Sequence, residues 1–544
     1  MHARVPWSRR PFGSGFIAGL GAGAFASGVM LLLNITLGSL SLPQQFGSEL
    51  LALMPPPMFA FLHQLIGENA KYYFFVIVLL GQCLVFALGG ALFNRYANAK
   101  NATLRWEQGL LLALLLWLFA GLIVLPLTGG GVFGAGLSTG LVNGLLSLAL
   151  VGLVFGVLYV FCQRWLTAAP QRASATGAAT SNEGEADRPT RRTLLKQGAV
   201  VAVVAAVGFG FWKFISEGAG AAKVPVAQLL QGYRNKITPP PVPNYGTIQP
   251  VKMLSSEITP NDQYYVVSKN FTDPTVTVQE WSLKVSGLVE QPYTLSYQDL
   301  LALPMQRQYE SMECISNEVG GPYMSSALWE GVRMADLLRK AGVKPGATKI
   351  VLHAYDDYAD SIHLSKALEP TTLVAVHMNG VPLPDGHGFP ARVLVPGIYG
   401  MKHVKWLTQI EVVNYDFQGY WQQRGWSDPA PVRLTSRIDT PLDGLAVPAR
   451  RQTYIAGVAF SGNLGISEVD VSTDGGKTWQ RATLKRPFSQ LTWVIWELPW
   501  LPQPGNYTIT VRAVDMQGNV QDPREEPTLP NGASGYHSIT VTAS

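Results

Sequence analysis

Long apolar runs separated by short polar segments dominate the first 165 residues. Four of these runs are about 20 residues or longer, the length that a helix needs to cross a hydrocarbon core of roughly 30 Å. They cover residues 14–37, 73–93, 108–126 and 140–162. A further apolar stretch contains Pro55, Pro56 and Pro57, which break a helix, so it predicts an interfacial or re-entrant segment. We therefore predict a four-helix transmembrane region over residues 1–165.

Lysine and arginine are distributed unevenly between the loops of this region. They precede the first run, separate the second from the third and follow the fourth: Arg4, Arg9, Arg10, Arg95, Lys100, Arg105 and Arg164. The loop between the third and fourth runs has no charge, and the loop after the first has only Lys71 as a positive residue. Because positively charged short loops stay in the cytoplasm, both ends of the four-helix unit are expected to face it.

Residues 166–190 are rich in Ala, Ser, Thr and Gly without periodicity, which predicts a flexible linker. Arg191 and Arg192 then precede a weakly hydrophobic segment of about 17 residues that extends to residue 217. This segment resembles a twin-arginine export signal, and the alternative is a fifth span with ordinary positive anchors. Both alternatives place everything after residue 217 outside the cytoplasm. We expect a multi-pass cell-membrane protein, in contact with lipid, whose C-terminal part is extracytoplasmic.

Beyond about residue 240 the apolar runs are shorter and turn residues separate them. WSLKVSGLV (281–289) and TKIVLHAY (348–355) predict strands, whereas SALWEGVRMADLLRKAG (326–342) has helical spacing and predicts a helix that ends at Gly342. This mixture predicts an α+β domain over residues 240–435. From 436 to 544 all runs have strand length, and the Asp474-Gly475-Gly476 stretch predicts a hairpin. An immunoglobulin-like β-sandwich is expected there.

Composition narrows the set of partners. Charged residues are 14% of the 544, against about 25% in ordinary soluble proteins, which agrees with a membrane region. The net charge of +5 comes largely from residues beside apolar runs, so no nucleic-acid partner is expected. Two of the three cysteines, Cys83 and Cys162, lie inside apolar runs, which rules out a disulfide framework. The third, Cys314, lies in a glycine-flanked polar loop, SMECISNEVGG.

Cys314 has two interpretations from residue type alone. A free cysteine is usually a small buried hydrophobe, but its thiolate is also a soft metal ligand. A second cluster favours the ligand. In DGHGFPARVLVPGIYGMKHVKWLTQIEV, five basic residues surround short apolar runs: His387, Arg392, Lys402, His403 and Lys405. Such a cluster indicates a polyanionic ligand held by charge-assisted hydrogen bonds, and a phosphate-bearing cofactor would fit.

These two segments resemble the sulfite oxidase family of molybdenum-cofactor enzymes. GHGFPARVLVPGIYGMKHVKW is similar to the family's pterin-binding segment, and the loop opened by Cys314 is similar to the one whose cysteine ligates molybdenum. YWQQRGW, PVRLTSRIDTPLDG and VDVSTDGGKTW follow in the family's order, so the resemblance covers roughly residues 245–540. It implies a molybdopterin-binding oxidoreductase domain, a dimerisation-type sandwich and hence a homodimer.

The resemblance also implies roles for individual residues. Cys314 would be the only protein ligand of the metal, and Trp426, which stands where the family has its active-site tyrosine, would join it as a catalytic residue. Ser268 and Lys269 replace the Asn and His of the family's enzymes for sulfite. The full set of positions implied at the cofactor is Cys314, His387, Arg392, Lys405, His403, Asn317, Asp356, Ser268, Lys269 and Tyr265.

The positions implied at the substrate depart from the family. Sulfite oxidases line their pocket with arginines that hold the anion, whereas this chain has Val267, Glu318 and Val319. Because a carboxylate without an arginine repels a dianion, sulfite is not the expected substrate. We expect oxygen-atom or two-electron transfer on another small molecule, and reduction of a sulfoxide, such as peptide methionine sulfoxide, is the alternative.

The electron partner is expected to be a separate protein. The membrane half contains only His2 and His63, and the chain has no C-x-x-C-H motif, so we expect no haem. Electrons would pass to or from a cytochrome or a quinone-linked protein. An alternative of another class is a membrane transport or docking protein with an inert exported domain. Ionisable residues inside the membrane would favour transport, and the four runs contain almost none.

Overall fold

The computed structural model describes residues 11–37, 39–53, 70–99, 106–135, 137, 140–167, 224–231, 233–270 and 273–544. Nearly all of the predicted linker (166–190) lies outside the described residues, and so do the twin-arginine segment (191–217) and the three consecutive prolines.

The described N-terminal region is helical. Four of its helices are long and apolar enough to cross a membrane, which confirms that part of the prediction. They are α1 (Pro11–Leu37), α3 (Ala70–Ala99), α4 (Trp106–Phe119) and α5 (Gly140–Thr167), and the shorter α2 (Leu42–Leu53) follows α1. A π-helical turn (Ala120–Val124) and Leu125–Leu127 extend α4, giving a span of Trp106–Leu127.

Glycines let α1 and α3 lie in close contact. A Cβ atom on Gly15 would lie 2.6 Å from the carbonyl oxygen of Gly90, and one on Gly19 would lie 2.6 Å from that of Phe86. Small residues at four-residue spacing let helix backbones approach in a membrane, where burial of apolar surface supplies little driving force. The two helices are therefore held together by close backbone packing.

Polar side chains join α1, α3 and α5 at one end of the bundle. Ser14 Oγ accepts hydrogen bonds from Asn94 Nδ2 at 3.1 Å and from Gln163 Nε2 at 3.0 Å. Tyr159 Oη donates to the carbonyl oxygen of Gly90 at 2.6 Å. The beginning of α1 thus lies beside the ends of α3 and α5, as alternating spans require.

Two five-stranded sheets form the central part of the chain. The first has the order β2-β1-β10-β5-β6, in which only β1 and β10 are parallel. Its strands are β1 (Ser282–Gly287), β2 (Tyr293–Ser296), β5 (Lys349–Ala354), β6 (Ala359–His363) and β10 (Leu407–Val413). The second has the order β3-β4-β7-β8, with β9 also paired to β7. Its strands are β3 (Gln306–Glu313), β4 (Met324–Arg333), β7 (Leu373–Met378), β8 (Val381–Pro382) and β9 (Arg392–Leu394).

Short helices connect these strands and lead into them: α6 (Val226–Leu229), α7 (Tyr297–Leu301), α8 (Met334–Ala341) and α9 (Leu364–Ala367). The prediction of one helix across 326–342 was wrong for its first half, because β4 runs to Arg333 and only the remainder is helical. This strand is buried along most of its length, so it lacks the alternation that marks a half-exposed strand. The predicted end is confirmed, since Gly342 caps α8 in the left-handed conformation with a φ of 70°.

Two further sheets form the C-terminal part, and their inner faces share one apolar core. One has the order β11-β13-β17-β16 and the other β12-β19-β18-β14-β15. Their strands are β11 (Thr435–Thr440), β12 (Ala446–Val447), β13 (Thr453–Phe460), β14 (Ile466–Ser472), β15 (Gln480–Arg481), β16 (Thr483–Leu484), β17 (Val494–Trp500), β18 (Gly505–Asp515) and β19 (His537–Ala543). The antiparallel pairing of β14 with β15 confirms the hairpin predicted at Asp474-Gly475-Gly476.

Candidate functional site

Cys314 directly follows β3 and begins a closed loop. Its backbone N–H donates to the carbonyl oxygen of Tyr323 at 3.0 Å, and its own carbonyl oxygen accepts from Asn317 N–H at 3.0 Å. The Asn317 side chain accepts from Tyr323 N–H at 2.9 Å and donates to Glu313 Oε1 at 2.9 Å. The Cys314 Sγ atom lies 3.1 Å from Ser316 Oγ, and the residue is only 7% exposed. We call residues 314–323 the cysteine loop.

The alternation of β3 places a row of side chains beside the thiol. Glu310, Met312 and Cys314 are two residues apart, so they share one face of the strand. The buried guanidinium of Arg392, on β9, lies over this row. Its Nη2 donates to Met312 Sδ at 3.4 Å, and its Cζ is 5.2 Å from the centre of the Trp329 ring. Burial raises the pKa of Glu310 to about 8, so this carboxyl is largely neutral at pH 7 and leaves the Arg392 charge uncompensated.

Three buried donor groups beside the thiol have no hydrogen-bond partner within the described residues. They are Arg392 Nε, Tyr264 Oη and Tyr265 Oη. Burial raises the pKa of both tyrosines, and a charge on Cys314 raises that of Tyr265 further, so both remain neutral donors. A Cβ atom on Gly400 would lie 2.7 Å from Tyr265 Oη, so the glycine leaves space at this hydroxyl. An unsatisfied buried donor costs about 1–3 kcal/mol, and the group therefore fits a ligand rich in acceptor oxygens.

His387 lies in a 3₁₀ turn (Asp385–His387) at the edge of this group. Its ring is 5.3 Å from that of Tyr264, and its carbonyl oxygen accepts from Arg392 Nη1 at 3.2 Å. Burial lowers the pKa of His387 to about 4, so the ring is neutral at pH 7. Because Nε2 lies 3.0 Å from the carbonyl oxygen of Asn261, this nitrogen carries the proton and Nδ1 is the acceptor.

Lys405 adds a second positive charge near His387. Its Nζ donates to the carbonyl oxygen of Gly386 at 3.1 Å, lies 3.8 Å from Asp273 Oδ2 and lies 4.2 Å from the Trp406 ring centre. The structure thus brings together five of the predicted positions: Cys314, Tyr265, Arg392, His387 and Lys405. A guanidinium, an ammonium and a neutral imidazole in one place suit a phosphate-bearing ligand.

His403 bonds to the backbone of its own loop. Its Nδ1 accepts from Val395 N–H at 3.3 Å, and its Nε2 donates to the carbonyl oxygen of Ile398 at 3.0 Å. Burial lowers the pKa of His403 to about 3, so the ring stays neutral. Its two nitrogens therefore hold the loop that leads to Gly400.

Lys402, another member of the basic cluster, is 1% exposed and is surrounded by oxygen atoms. Its Nζ donates at 2.8 Å to each of Asp360 Oδ1, Asp428 Oδ1 and the carbonyl oxygen of Ser361. This ammonium pairs with one buried and one partly buried carboxylate, and so its charge stabilises the scaffold of the site.

Ser268, Lys269 and Asp356 form a second group of predicted positions. Lys269 Nζ donates to the carbonyl oxygen of Asp356 at 2.7 Å and lies 3.7 Å from Oδ2 of the same residue. Asn270 donates from its side chain to Asp356 Oδ2 at 2.7 Å and from its backbone to Ser268 Oγ at 3.2 Å. The Lys269 ammonium also lies 5.8 Å from the Tyr420 ring centre. These contacts fix the segment that follows Tyr264 and Tyr265.

Trp426 packs in an apolar cluster with Ile315 of the cysteine loop. It is 6% exposed, and Tyr399 belongs to the same cluster. Glu318, by contrast, is exposed, and Val319 lies against Gly535, since a Cβ atom on that glycine would be 3.6 Å from Val319 Cγ2.

Sequence reasoning missed four residues of this site: Tyr264, Glu310, Met312 and Gly400. Strand alternation in QRQYESMEC could have found two of them, because Glu310 and Met312 stand four and two residues before the cysteine, respectively. Gly400 gave no such signal, since its role depends on a tyrosine that is distant in the sequence.

Comparison with protein families matches two consecutive parts of the chain. Residues 270–421 match the "oxidoreductase molybdopterin binding domain", and residues 431–533 match the "Mo-co oxidoreductase dimerisation domain". The first match contains the cysteine loop together with Arg392, His387 and Lys405. A molybdopterin-binding domain implies a molybdenum cofactor, and the unpartnered donors beside Cys314 fit such a group.

The chain is also similar to individual proteins of known sequence or structure. The chain is 32% identical over 321 residues to mitochondrial sulfite oxidase of Rattus norvegicus, an alignment that covers 50% of this chain and only 58% of the relative. It is 35% identical over 147 residues to the uncharacterized oxidoreductase YuiH of Bacillus subtilis, which covers 27% of this chain and 72% of the relative. The sulfane dehydrogenase SoxCD from Paracoccus pantotrophus matches with a TM-score of 0.47 and 23% identity, over 59% of this chain and 96% of that chain. By its identity to the two curated relatives and by the two matched domains in their order, the chain belongs to the sulfite oxidase family of molybdopterin-dependent oxidoreductases.

Proposed function

We propose that the protein is a membrane-anchored molybdenum-cofactor oxidoreductase that acts outside the cytoplasm on a small substrate. The observation that carries this proposal is the buried thiol of Cys314 near three buried donors that have no hydrogen-bond partner in the described part of the chain, Arg392 Nε, Tyr264 Oη and Tyr265 Oη. When bound, the cofactor supplies a metal centre that exchanges two electrons and an oxygen atom with a substrate.

The site residues have two roles: Cys314 is the metal ligand, and the others hold the cofactor or the loop. The Cys314 thiolate binds the metal and lowers its effective charge, and the hydrogen bonds of the cysteine loop fix its direction. Arg392 and Lys405 hold the anionic part of the cofactor, and His387 offers Nδ1 as an acceptor. The two tyrosine hydroxyls donate to the cofactor or to the substrate. Asn317 acts by closing the loop, since both ends of its amide are bonded within residues 313–323.

The substrate side favours a molecule other than sulfite. Val266 and Val267, which directly follow the two tyrosines, are 47% and 40% exposed, and Glu318 is exposed on the cysteine loop. No arginine occupies these positions, and an apolar rim does not hold a dianion. An uncharged substrate, such as a sulfoxide that carries apolar substituents, suits this rim better.

The remaining parts of the chain would anchor the protein in the membrane and mediate its dimerisation. Residues 1–165 and the twin-arginine segment at 191–217 anchor it, the catalytic domain occupies 240–435, and an immunoglobulin-like sandwich occupies 436–544. The match of residues 431–533 to a dimerisation domain supports a homodimer. A separate cytochrome or quinone-linked protein would be the electron-transfer partner of the cofactor-loaded domain.

Metal and pterin content of the purified protein test the proposal. Wild type from molybdate-supplied cells is expected to contain both in near-stoichiometric amounts. Cys314→Ser is expected to lose the metal's thiolate spectrum and at least about a hundredfold of activity, whereas Cys162→Ser, which removes a thiol from α5, is expected to change neither. Wild type without molybdenum, or a Cys314→Ser protein with an unaltered metal spectrum, would refute it.

The direction of the reaction needs a second measurement. Sulfite oxidation is assayed with oxidised cytochrome c as acceptor, and sulfoxide reduction with a reduced viologen dye as donor. We expect turnover with the sulfoxide and not with sulfite. Turnover of sulfite at the higher rate would show that the apolar rim does not decide the substrate.

A further inference from the structure

One largely buried arginine of the C-terminal sheets bonds to the cysteine loop. Arg437 lies on β11, and its Nη1 donates to the carbonyl oxygen of Gly321 at 2.9 Å. The rest of its guanidinium is also bonded: Nη2 donates to Ser255 Oγ at 2.9 Å, and Nε donates to Asp439 Oδ1 at 2.7 Å. The side chains of Arg437 and Asp439 are 14% and 6% exposed. The carboxylate therefore holds the guanidinium plane in a direction that aims Nη1 at the loop.

A second contact from the same strand supports the next residue of the loop. The backbone N–H of Ile438 donates to His537 Nδ1 at 3.0 Å. The ring of His537 lies against Gly320, whose φ is 78°, and a Cβ atom on that glycine would overlap the ring. Two consecutive residues of the cysteine loop, Gly320 and Gly321, thus rest on groups that β11 fixes.

The C-terminal core does not account for Arg437. Its neighbour Ile438 is part of that core, so alternation along β11 directs the Arg437 side chain to the opposite face. Burying a guanidinium costs free energy that only its hydrogen bonds and ion pair offset. The bond to Gly321 is the one that reaches the metal-binding loop of the other domain.

We propose that Arg437 is a positioning residue for Cys314, through which the C-terminal domain sets the direction of the ligand thiol. This rests on the proposed function only in taking Cys314 as the ligand. The path is short. Arg437 holds the Gly321 carbonyl, Gly321 N–H donates to the Glu318 carbonyl oxygen at 2.8 Å, and Tyr323 bonds to both Asn317 and Cys314. Loss of the bond from Arg437 frees one side of this closed loop.

The test compares Arg437→Met with Arg512→Met in the full-length protein. Arg512 is a matched control, because it also makes an ion pair with a carboxylate, Asp470, and is 26% exposed, but it has no bond to the cysteine loop. Amide hydrogen exchange is measured for the peptide that contains residues 314–323, and alkylation of Cys314 by iodoacetamide is followed in metal-free protein. These readouts do not depend on activity or on metal loading.

Arg437→Met is expected to speed exchange of the loop amides and alkylation of Cys314 by about ten- to hundredfold, the range for losing a hydrogen bond from a charged donor. Asp439→Asn, which keeps the guanidinium but weakens its orientation, is expected to give a smaller change in the same direction. In metal-loaded protein, the electron paramagnetic resonance spectrum of the molybdenum should shift in Arg437→Met and match wild type in Arg512→Met.

Equal effects of Arg437→Met and Arg512→Met would reduce the role of Arg437 to general stability and overturn the proposal. Unchanged exchange and alkylation in Arg437→Met would also overturn it. A failure of the proposed function looks different: the loop would loosen as expected in metal-free Arg437→Met, but wild type would contain no molybdenum.

Discussion

Glu310 shows how burial, more than hydrogen bonding, sets the chemistry of a side chain in this site. It is 1% exposed, on the same face of β3 as Cys314, and accepts one hydrogen bond, from Gln308 Nε2 at 2.8 Å. Neither that bond nor the nearby Arg392 charge offsets the cost of burying a carboxylate, and the pKa of Glu310 rises to about 8. A neutral carboxyl at this position leaves the positive charge of Arg392 available to an anionic cofactor.

The pKa of Glu310 predicts how stability depends on pH. The folded protein keeps this proton up to about pH 8, whereas the unfolded chain loses it near 4.5. The contribution is therefore complete below pH 4.5 and is lost as the pH rises towards 8. Glu310→Gln stays neutral at every pH, so its free energy of unfolding should equal that of wild type near pH 4 and exceed it at pH 8.5 by roughly 3–5 kcal/mol, with a correspondingly higher melting temperature.

Thermal unfolding at several pH values measures this difference. Glu330→Gln is the control, because Glu330 lies on the neighbouring strand and pairs with the exposed Arg307 at 3.1 Å. It should show no such pH-dependent gain over wild type. If Glu310→Gln and wild type melt in parallel across this pH range, the carboxyl is not protonated in the folded protein.

The sequence allowed prediction of the residues whose type alone suggests their chemistry. Cys314, Arg392 and His387 stand out as a thiol, a cation and an imidazole in glycine-rich segments. Residue type did not single out Tyr264 or Tyr265, because a tyrosine is ordinary in a core, and Tyr265 was expected at the cofactor only through the family resemblance. The fold leaves both hydroxyls without a hydrogen-bond partner among the described residues. His403 was expected at the cofactor from its place in the basic cluster, and only the fold shows that its ring bonds to the backbone of its own loop.

The packing of α1 on α3 makes a prediction at the scale of an element. A methyl group on Gly19 would lie 2.6 Å from the Phe86 carbonyl oxygen and 3.0 Å from the Ala87 Cα, and neither backbone atom can move alone. Gly19→Ala should therefore push the helices apart and lower the free energy of unfolding by about 1–3 kcal/mol. Gly21 lies on the same helix with open space at its Cβ position, so Gly21→Ala should be neutral or slightly stabilising.

Thermal unfolding of the detergent-solubilised protein, followed by helical circular dichroism, compares the two variants. A lower melting temperature for Gly19→Ala alone supports close packing of α1 on α3. Equal melting temperatures for both variants would show that the two helices separate without cost.

Helices and strands were predictable where an apolar pattern came from a single element. The four long helices follow from length and hydropathy, and the β14–β15 hairpin follows from its glycines. The apolar pattern of residues 326–342 came from two elements, because a buried strand without alternation runs directly into a helix whose apolar face packs on the core. Only the partner strands β3 and β7, which are distant in the sequence, fix the boundary at Arg333 and Met334.

At the scale of the whole molecule, two independent patterns bear on how the chain is oriented in the membrane. The polar contacts of Ser14 with Asn94 and Gln163 put the beginning of α1 beside the ends of α3 and α5. The same ends carry the positively charged residues Arg95 and Arg164. Because a cluster of positive residues at one end of a bundle keeps that end in the cytoplasm, we predict that the opposite end and the loop after α4 face outwards.

This orientation decides where the catalytic domain acts, and alkaline phosphatase fusions test it because that enzyme is active only outside the cytoplasm. Fusions after Gly131 and after residue 217 should be active, and fusions after Lys100 and after Thr167 should be inactive. Green fluorescent protein fused at the same positions should give the opposite pattern. Active phosphatase after Thr167 would show that the orientation of the bundle is the opposite of the predicted one.

The double change Arg191→Lys with Arg192→Lys distinguishes an export signal from an ordinary anchor. If residues 191–217 are a twin-arginine export signal, the folded, cofactor-loaded domain should no longer reach the outer face. If they are an ordinary anchor, the domain should stay there, since lysine retains the positive charge that orients a span.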